Sequence, residues 1–282
     1  MSEPQQQWTE TIESSHSLFD LKLKEVWRYK DLVYMFVKRD FVSGFKQTIL
    51  GPLWFFINPI FTTIVFVFVF GNIAKLSTDG IPQVLFYLSG ITLWNYFSSC
   101  LTGTSNIFTA NASIFGKVYF PRLVMPITIV ISNLMKFGVQ FMLFLAVWIF
   151  YFSKGQIEPN IWILATPFLI VLMAIFALGV GMIFSALTTK YRDLQMLLTF
   201  GVSLMMYATP VIYPVSSITG VWKKLAYYNP LTGIFECFKY GWMGQGEFTL
   251  EMLLISTGII IALLIVGTVT FNKVEKSFMD TV

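Results

Sequence analysis

Charge is scarce in this 282-residue sequence: Asp, Glu, Lys and Arg make up 12% of it, 56% is hydrophobic, and the mean hydropathy is +0.70. A water-soluble core of this length has no use for so much apolar surface, so the composition is that of an integral membrane protein. Histidine is nearly absent. The one copy, His16, lies in a polar N-terminal stretch, which leaves no histidine-based catalysis. Two cysteines, Cys100 and Cys237, on different segments, make neither a disulfide framework nor a metal site. No G-x-x-x-x-G-K-[ST] run occurs, so the chain cannot hold ATP in a P-loop, and ATP-driven work needs another polypeptide. Buried carboxylate pairs are lacking too, since Asp193 and Glu251 sit at the ends of apolar segments; this weakens an enzyme reading based on glycosyl transfer or a proton relay. Residues 1–20 have no apolar core or small-residue cleavage site and read as a flexible cytoplasmic tail rather than a signal peptide. No internal repeat is visible, which counts against the inverted-repeat design of many secondary transporters.

What is present is length of apolar chain. Segments 51–70, 84–108, 126–152, 161–187, 194–213 and 250–271 each reach about 20 residues, enough to cross about 30 Å of hydrocarbon at about 1.5 Å per residue. Six spans put both termini on one side. The side follows from Lys and Arg. Thirteen (Lys22, Lys24, Arg28, Lys30, Lys38, Arg39, Lys46, Lys117, Arg122, Lys190, Arg192, Lys273, Lys276) fall on the side of the termini, and five (Lys75, Lys154, Lys223, Lys224, Lys239) on the other. That asymmetry makes both termini cytoplasmic. Before the first span, 24–38 reads as an amphipathic helix: Val26, Tyr29, Leu32, Val33, Phe36 and Val37 share one face, and Lys24, Asp31 and Lys38 the other. Trp27 and Tyr34 fall on the polar side, where they meet either a partner protein or lipid headgroups.

The organising stretch is Lys190 to Pro230: charges, then apolar residues to Met206, then breaks at Pro210 and Pro214 and an aromatic-rich cap that runs to about 249. The cap is too apolar for a water-facing loop and too interrupted for a span, so it reads as non-helical or re-entrant chain buried in protein or lining a water-filled path. Gly51-Pro52 starts the first span, Asn58-Pro59 kinks it, and Gly179-x-Gly181 thins the fourth for close approach of a neighbour. Lys136 is the one charge well inside a span, roughly 15 Å deep, in a row with Ser132 and Gln140 and with Asn133 beside it. A lysine there faces protein, water or, by snorkelling, the interface; it attracts a phosphate, pairs with a carbonyl, or does neither. A second row, Asn95, Ser99, Thr102 and Asn106, fits polar helix packing. The connection 111–121 carries Ile114, Phe115, Val118, Tyr119 and Phe120, more apolar bulk than a wet loop needs; it reads as a short helix that docks in a partner's cleft or lies on headgroups.

Arg39-Asp40-Phe41, Phe45 through Trp54 (Phe-Lys-Gln-Thr-Ile-Leu-Gly-Pro-Leu-Trp), Asn58-Pro59, Tyr191-Arg192-Asp193, Pro210-Val211-Ile212-Tyr213-Pro214 and Asn229-Pro230-Leu231, in this order, resemble the membrane subunits of ABC-2 type exporters. The nearest likeness is to the permeases that export O-antigen, capsule or teichoic acid. The departures are the long polar N-terminal stretch and Phe55-Phe56 where a small residue is usual. The resemblance implies an all-α integral membrane protein in the bacterial inner membrane, with a single transmembrane domain over 21–282, an N-terminal interface helix and re-entrant helices between spans five and six. It further implies a homodimer served by two separate ATPase subunits, with ATP and Mg on those partners, no cofactor or metal on this chain, and no nucleic acid. By the same resemblance the ATPase-facing residues are Trp27, Tyr34, Ser113, Ile114, Phe115, Lys117, Tyr119, Phe120, Arg122, Tyr191, Arg192 and Asp193, and spans one and five line the path. Aromatic faces suit the C–H faces of a lipid-linked glycan, which makes Trp54, Phe55, Phe66, Tyr207 and Tyr213, with Lys136, the path candidates; single aromatics also serve as lipid-facing belt residues. The alternatives are an ABC-2 exporter of a small lipid or drug and a membrane-embedded enzyme of glycan assembly.

Overall fold

A computed structural model describes residues 23–278 apart from 45, 47, 116, 118, 119 and 192. The tail at 1–20, with His16, and the expected interface residues Tyr119 and Arg192 lie outside the described residues. Among those described there is no strand. The order is α1 (Leu23–Arg28), α2 (Lys30–Ser43), α3 (Trp54–Phe66), α4 (Gln83–Ser105), α5 (Ile107–Ala110), α6 (Ala112–Phe115), α7 (Val124–Ser153), α8 (Thr166–Lys190), α9 (Leu194–Ala208), α10 (Val221–Tyr228), α11 (Pro230–Met243) and α12 (Leu250–Phe278).

The core is a row of helices in the order α7, α4, α8, α12, with α3 packed on α4 and α7, and α9 on α4 and α8. Water exclusion cannot drive helices together in lipid, so close approach and interhelical hydrogen bonds decide the packing. Gly179 lets α8 touch α12, for a Cβ there would stand 2.9 Å from the Leu264 backbone; Gly181 does the same against Thr104 of α4. Phe97 of α4 stacks on Phe176 of α8 at 5.1 Å, and the Thr188 hydroxyl donates to the Ser105 carbonyl at 2.9 Å. Such a bond contributes about 0.6 kcal/mol on average in a membrane core, so the stack and the glycine contacts carry most of this interface.

Among the described residues, four helical stretches are long and apolar enough to cross a membrane: Gly51–Ile73, Val124–Ser153, Ile161–Lys190 and Leu250–Val274. The first runs through a 3-10 turn at Gly51–Leu53, then α3, then a π-helical end at Val67–Ile73. Pro59 sits inside α3, and the Thr63 hydroxyl donates to its carbonyl at 2.7 Å. The expected second span is α4, which has the length but not the apolarity: it is rich in Ser, Thr and Gly, and most of it is buried against its neighbours. The expected fifth span is shorter than the sequence pattern suggests. Its helix ends at Ala208, because Thr209 is extended ahead of Pro210, and the residue before a proline is pushed out of the helical region.

At one end of the row, the amphipathic segment expected over 24–38 forms two helices, broken at Tyr29 and reaching Ser43. Val26, Val33 and Val37 are buried, as the periodicity predicts, and α2 packs on α7. Two of the large apolar residues of 111–121 turn inward rather than toward a partner's cleft. Phe115 and Phe120 are buried in this chain's own second core with Phe108, Met125 and Phe271. Phe120 meets Phe36 of α2 at 6.0 Å and Phe115 at 5.6 Å. It is α2 folded over the connection, rather than a partner's cleft, that takes up these rings.

Candidate functional site

Two surfaces stand out, one at each end of the helix row. At the α2 end, Trp27 is 75% and Tyr34 68% exposed, with Met35 beside them, while the opposite face of the same helices is buried. Two large aromatics turned outward from a helix already anchored on its apolar side make a contact surface with little left to order. In the 111–121 connection Ser113 and Lys117 are exposed and Ile114 is half-buried, and Tyr191 and Asp193 are exposed just before α9. Phe115, Phe120 and Arg122 are not surface residues. Arg122 is 7% exposed, its guanidinium carbon 5.6 Å from the Phe115 ring centre and 5.9 Å from that of Phe108. These three hold the connection in shape and leave contact to its exposed members.

At the opposite end the chain turns after Ala208, and the Tyr213 hydroxyl donates to the Tyr207 carbonyl at 2.8 Å, so two expected path residues lie together. They line one cavity of about 1040 Å³ with Leu204, Trp222, Leu225, Asn229 and others from α9, α10 and the turn. Aromatic faces with Ser217, Thr219 and Asn229 between them form a surface that is apolar in patches and hydrogen-bonding in others. Trp54 is exposed at the start of α3, Phe55 stacks on Phe41 at 5.8 Å, and Phe66 packs edge-on against Phe70 and Tyr87. Those three belong to α3 and do not line the cavity.

The turn that shapes the cavity is pinned by groups that sequence reasoning missed. Lys239, counted there only as an outside charge, is 2% exposed, and Glu236, one turn before it, 1%. The Lys239 ammonium donates to the Pro210 carbonyl at 2.7 Å, lies 3.5 Å from Glu236 Oε1 and sits 4.1 Å from the centre of the Phe86 ring. The other Glu236 oxygen accepts the Glu247 backbone N–H at 3.1 Å. Asn229 caps α11 by accepting from Leu231 N–H at 3.0 Å, and its amide donates to the Ala208 carbonyl at 3.1 Å. Gly90 of α4 lets the turn come close: a Cβ there would stand 2.9 Å from the Val211 carbonyl oxygen. The one sequence signal was a Glu and a Lys three apart in an otherwise apolar stretch, a spacing that puts both on one helix face.

Lys136 lies on the packed side of α7. At about 100° per residue it shares a side with buried Ser132, Asn133 and Phe137, while exposed Ile131, Leu134 and Met142 lie opposite. Its ammonium donates to Asn133 Oδ1 at 3.2 Å, and the two sequence rows meet where the Asn95 amide donates to Gln140 Oε1 at 3.3 Å.

The ABC-2 type transporter family model matches residues 31–242. The O-antigen export system permease protein RfbA of Klebsiella pneumoniae is 31% identical over 253 residues, 89% of this chain and 94% of that one. RfbA of Myxococcus xanthus is 24% identical over 262 residues, 92% and 98% of the two chains. The polysialic acid transport protein KpsM of Escherichia coli is 24% identical over 203 residues, 70% and 76%.

Proposed function

The chain belongs to the ABC-2 type transporter family, and from that membership we propose that it is the membrane subunit of an ATP-driven exporter that moves a lipid-linked polysaccharide from the cytoplasm across the inner membrane. The observation that carries the reading is the cavity of about 1040 Å³ lined by Tyr207, Tyr213 and Trp222, with hydroxyl and amide groups between the rings. Rings stack on the C–H faces of sugars without fixing any one residue of a polymer, and the polar groups exchange hydrogen bonds with passing hydroxyls. A wall of this kind lets a chain slide; a tight pocket would stall it.

In this reading one transmembrane domain, 21–282, crosses the membrane six times. Besides the four long apolar stretches, α4 contributes a crossing of about 34 Å, shielded from lipid by its neighbours, and α9 one of about 22 Å completed by the turn after it. The hairpin of α10 and α11 dips into the membrane on the outer side, and both termini are cytoplasmic, as the Lys and Arg asymmetry favours. Two copies pair, and two separate ATPase subunits carrying ATP and Mg meet the surface of Trp27, Tyr34, Ser113 and Lys117. This chain carries no cofactor and no catalytic residue. Trp54, Phe55 and Phe66 continue the path along the first span.

The test is export. Replacing Tyr207 and Tyr213 together by Ala should reduce surface glycan about tenfold or more, while the complex with the ATPase still assembles in normal amount. Surface glycan at the unsubstituted level would remove the two tyrosines from the path.

A further inference from the structure

Lys136 raises a question of charge balance. It sits near the middle of α7, and no Asp or Glu occurs anywhere between Asp79 and Glu158, nor in α3, α4, α7 or α8. α3, α4 and α8 pack on α7, and so does α2, whose Asp31 and Asp40 lie on a helix that meets the start of α7 beside Phe120; the ammonium has no counter-ion from its own span or from α3, α4 or α8. Its hydrogen-bond partner is a neutral amide oxygen, Asn133 Oδ1 at 3.2 Å. Because an ammonium can only donate, Asn133 must offer its oxygen, which leaves the remaining Lys136 N–H groups without an anion to meet. Next along the same side, Ser132 is 3% exposed and its hydroxyl has no hydrogen-bond partner, a hydroxyl held in the core with its donor unspent. One turn on, Gln140 gives its oxygen to Asn95 and keeps its NH2. Lys136 itself remains partly exposed.

A lysine this far inside an apolar helix is costly to insert and calls for oxygen acceptors around its ammonium. What is left is a cluster of donors with one net positive charge and an unmet need for anionic oxygen. We propose that the seam between α4 and α7, with Lys136 at its centre and Ser132 and Gln140 on either side, binds the phosphate of the lipid-linked substrate as it crosses the membrane. The inference rests on the export reading above and adds a second contact to it: the cavity at the end of α9 handles sugar, and the seam handles the charged anchor.

Binding to the complex of this chain with its ATPase, in nanodiscs, tests the site with three probes: a polyprenyl pyrophosphate, the corresponding uncharged polyprenol, and a water-soluble acidic oligosaccharide as competitor. Lys136→Met should raise the Kd for the pyrophosphate about tenfold or more, Lys136→Arg should largely restore it, and polyprenol should bind all three forms alike. Unchanged pyrophosphate binding by Lys136→Met, or no binding by the unsubstituted complex, would overturn the site. So would an equal loss for polyprenol, which would mark a structural role. Displacement of the pyrophosphate by the acidic oligosaccharide would overturn the assignment to the lipid phosphate. The export assay on Tyr207 and Tyr213 is separate, so the site can fail while the export reading stands.

Discussion

At the scale of single residues the costliest feature is the buried pair of Glu236 and Lys239. Taking two charges out of water carries a penalty of several kcal/mol for each, which the attraction between them returns only if other groups satisfy what is left over. Here the Pro210 carbonyl, the Glu247 N–H and the Phe86 ring supply those groups. Removing one partner is therefore worse than removing both. Lys239→Met should lower the unfolding free energy of the purified chain by about 3–5 kcal/mol, and Lys239→Met combined with Glu236→Gln should recover much of it. Denaturant titration in detergent measures both; equal losses in the single and double variants would show that the pair is not coupled. The salt bridge of Lys223 with Glu247 at 2.6 Å, both about 40% exposed, is of the kind that contributes at most about 1 kcal/mol.

At the scale of elements, α2 does two things at once. Its apolar side closes over Phe120 and the start of α7, and its other side presents Tyr34 outward, with Trp27 exposed on the short helix α1 before it. Substitutions on the two sides should therefore separate association from stability. Trp27→Ala with Tyr34→Ala should weaken association with the ATPase subunit by about tenfold for each residue, with the melting temperature of the isolated chain unchanged. Affinity measured by titrating the ATPase onto immobilised chain checks this, and undiminished affinity would move the contact elsewhere. Arg122→Glu, by contrast, would put a carboxylate among aromatic rings in the core and should act through misfolding, whereas Lys117→Glu changes an exposed charge.

At the scale of the whole molecule, the described residues form helices packed around α4 and α8, with an exposed aromatic surface at one end and a cavity at the other. Among the described residues no cluster of three or more His, Cys, Asp or Glu side chains is assembled. With no phosphate-binding loop in the sequence, the purified chain should release no phosphate from ATP above background, and turnover should appear on adding the ATPase subunit. A coupled phosphate-release assay decides the point; turnover by the chain alone would break the division of labour between the subunits.

The sequence by itself determined the helical, membrane-embedded character of the chain, because backbone groups in lipid must satisfy one another within a helix and because apolar length is read directly from composition. It also located the amphipathic segment before the first span, whose Val26, Val33 and Val37 are buried as their spacing requires, and the break at Thr209-Pro210, though it set the end of α9 five residues too late. Only the tertiary structure decided who covers whom. That Phe115 and Phe120 share one core with residues of α2, that Arg122 lies against the Phe115 and Phe108 rings, and that Lys239 is buried on Pro210, depends on contacts between residues far apart in the chain, which local periodicity does not encode. The direction of Lys136 was settled the same way: the 3.6-residue period put it in a row with Ser132 and Gln140, but only the packing of α4 on α7 turned that row inward.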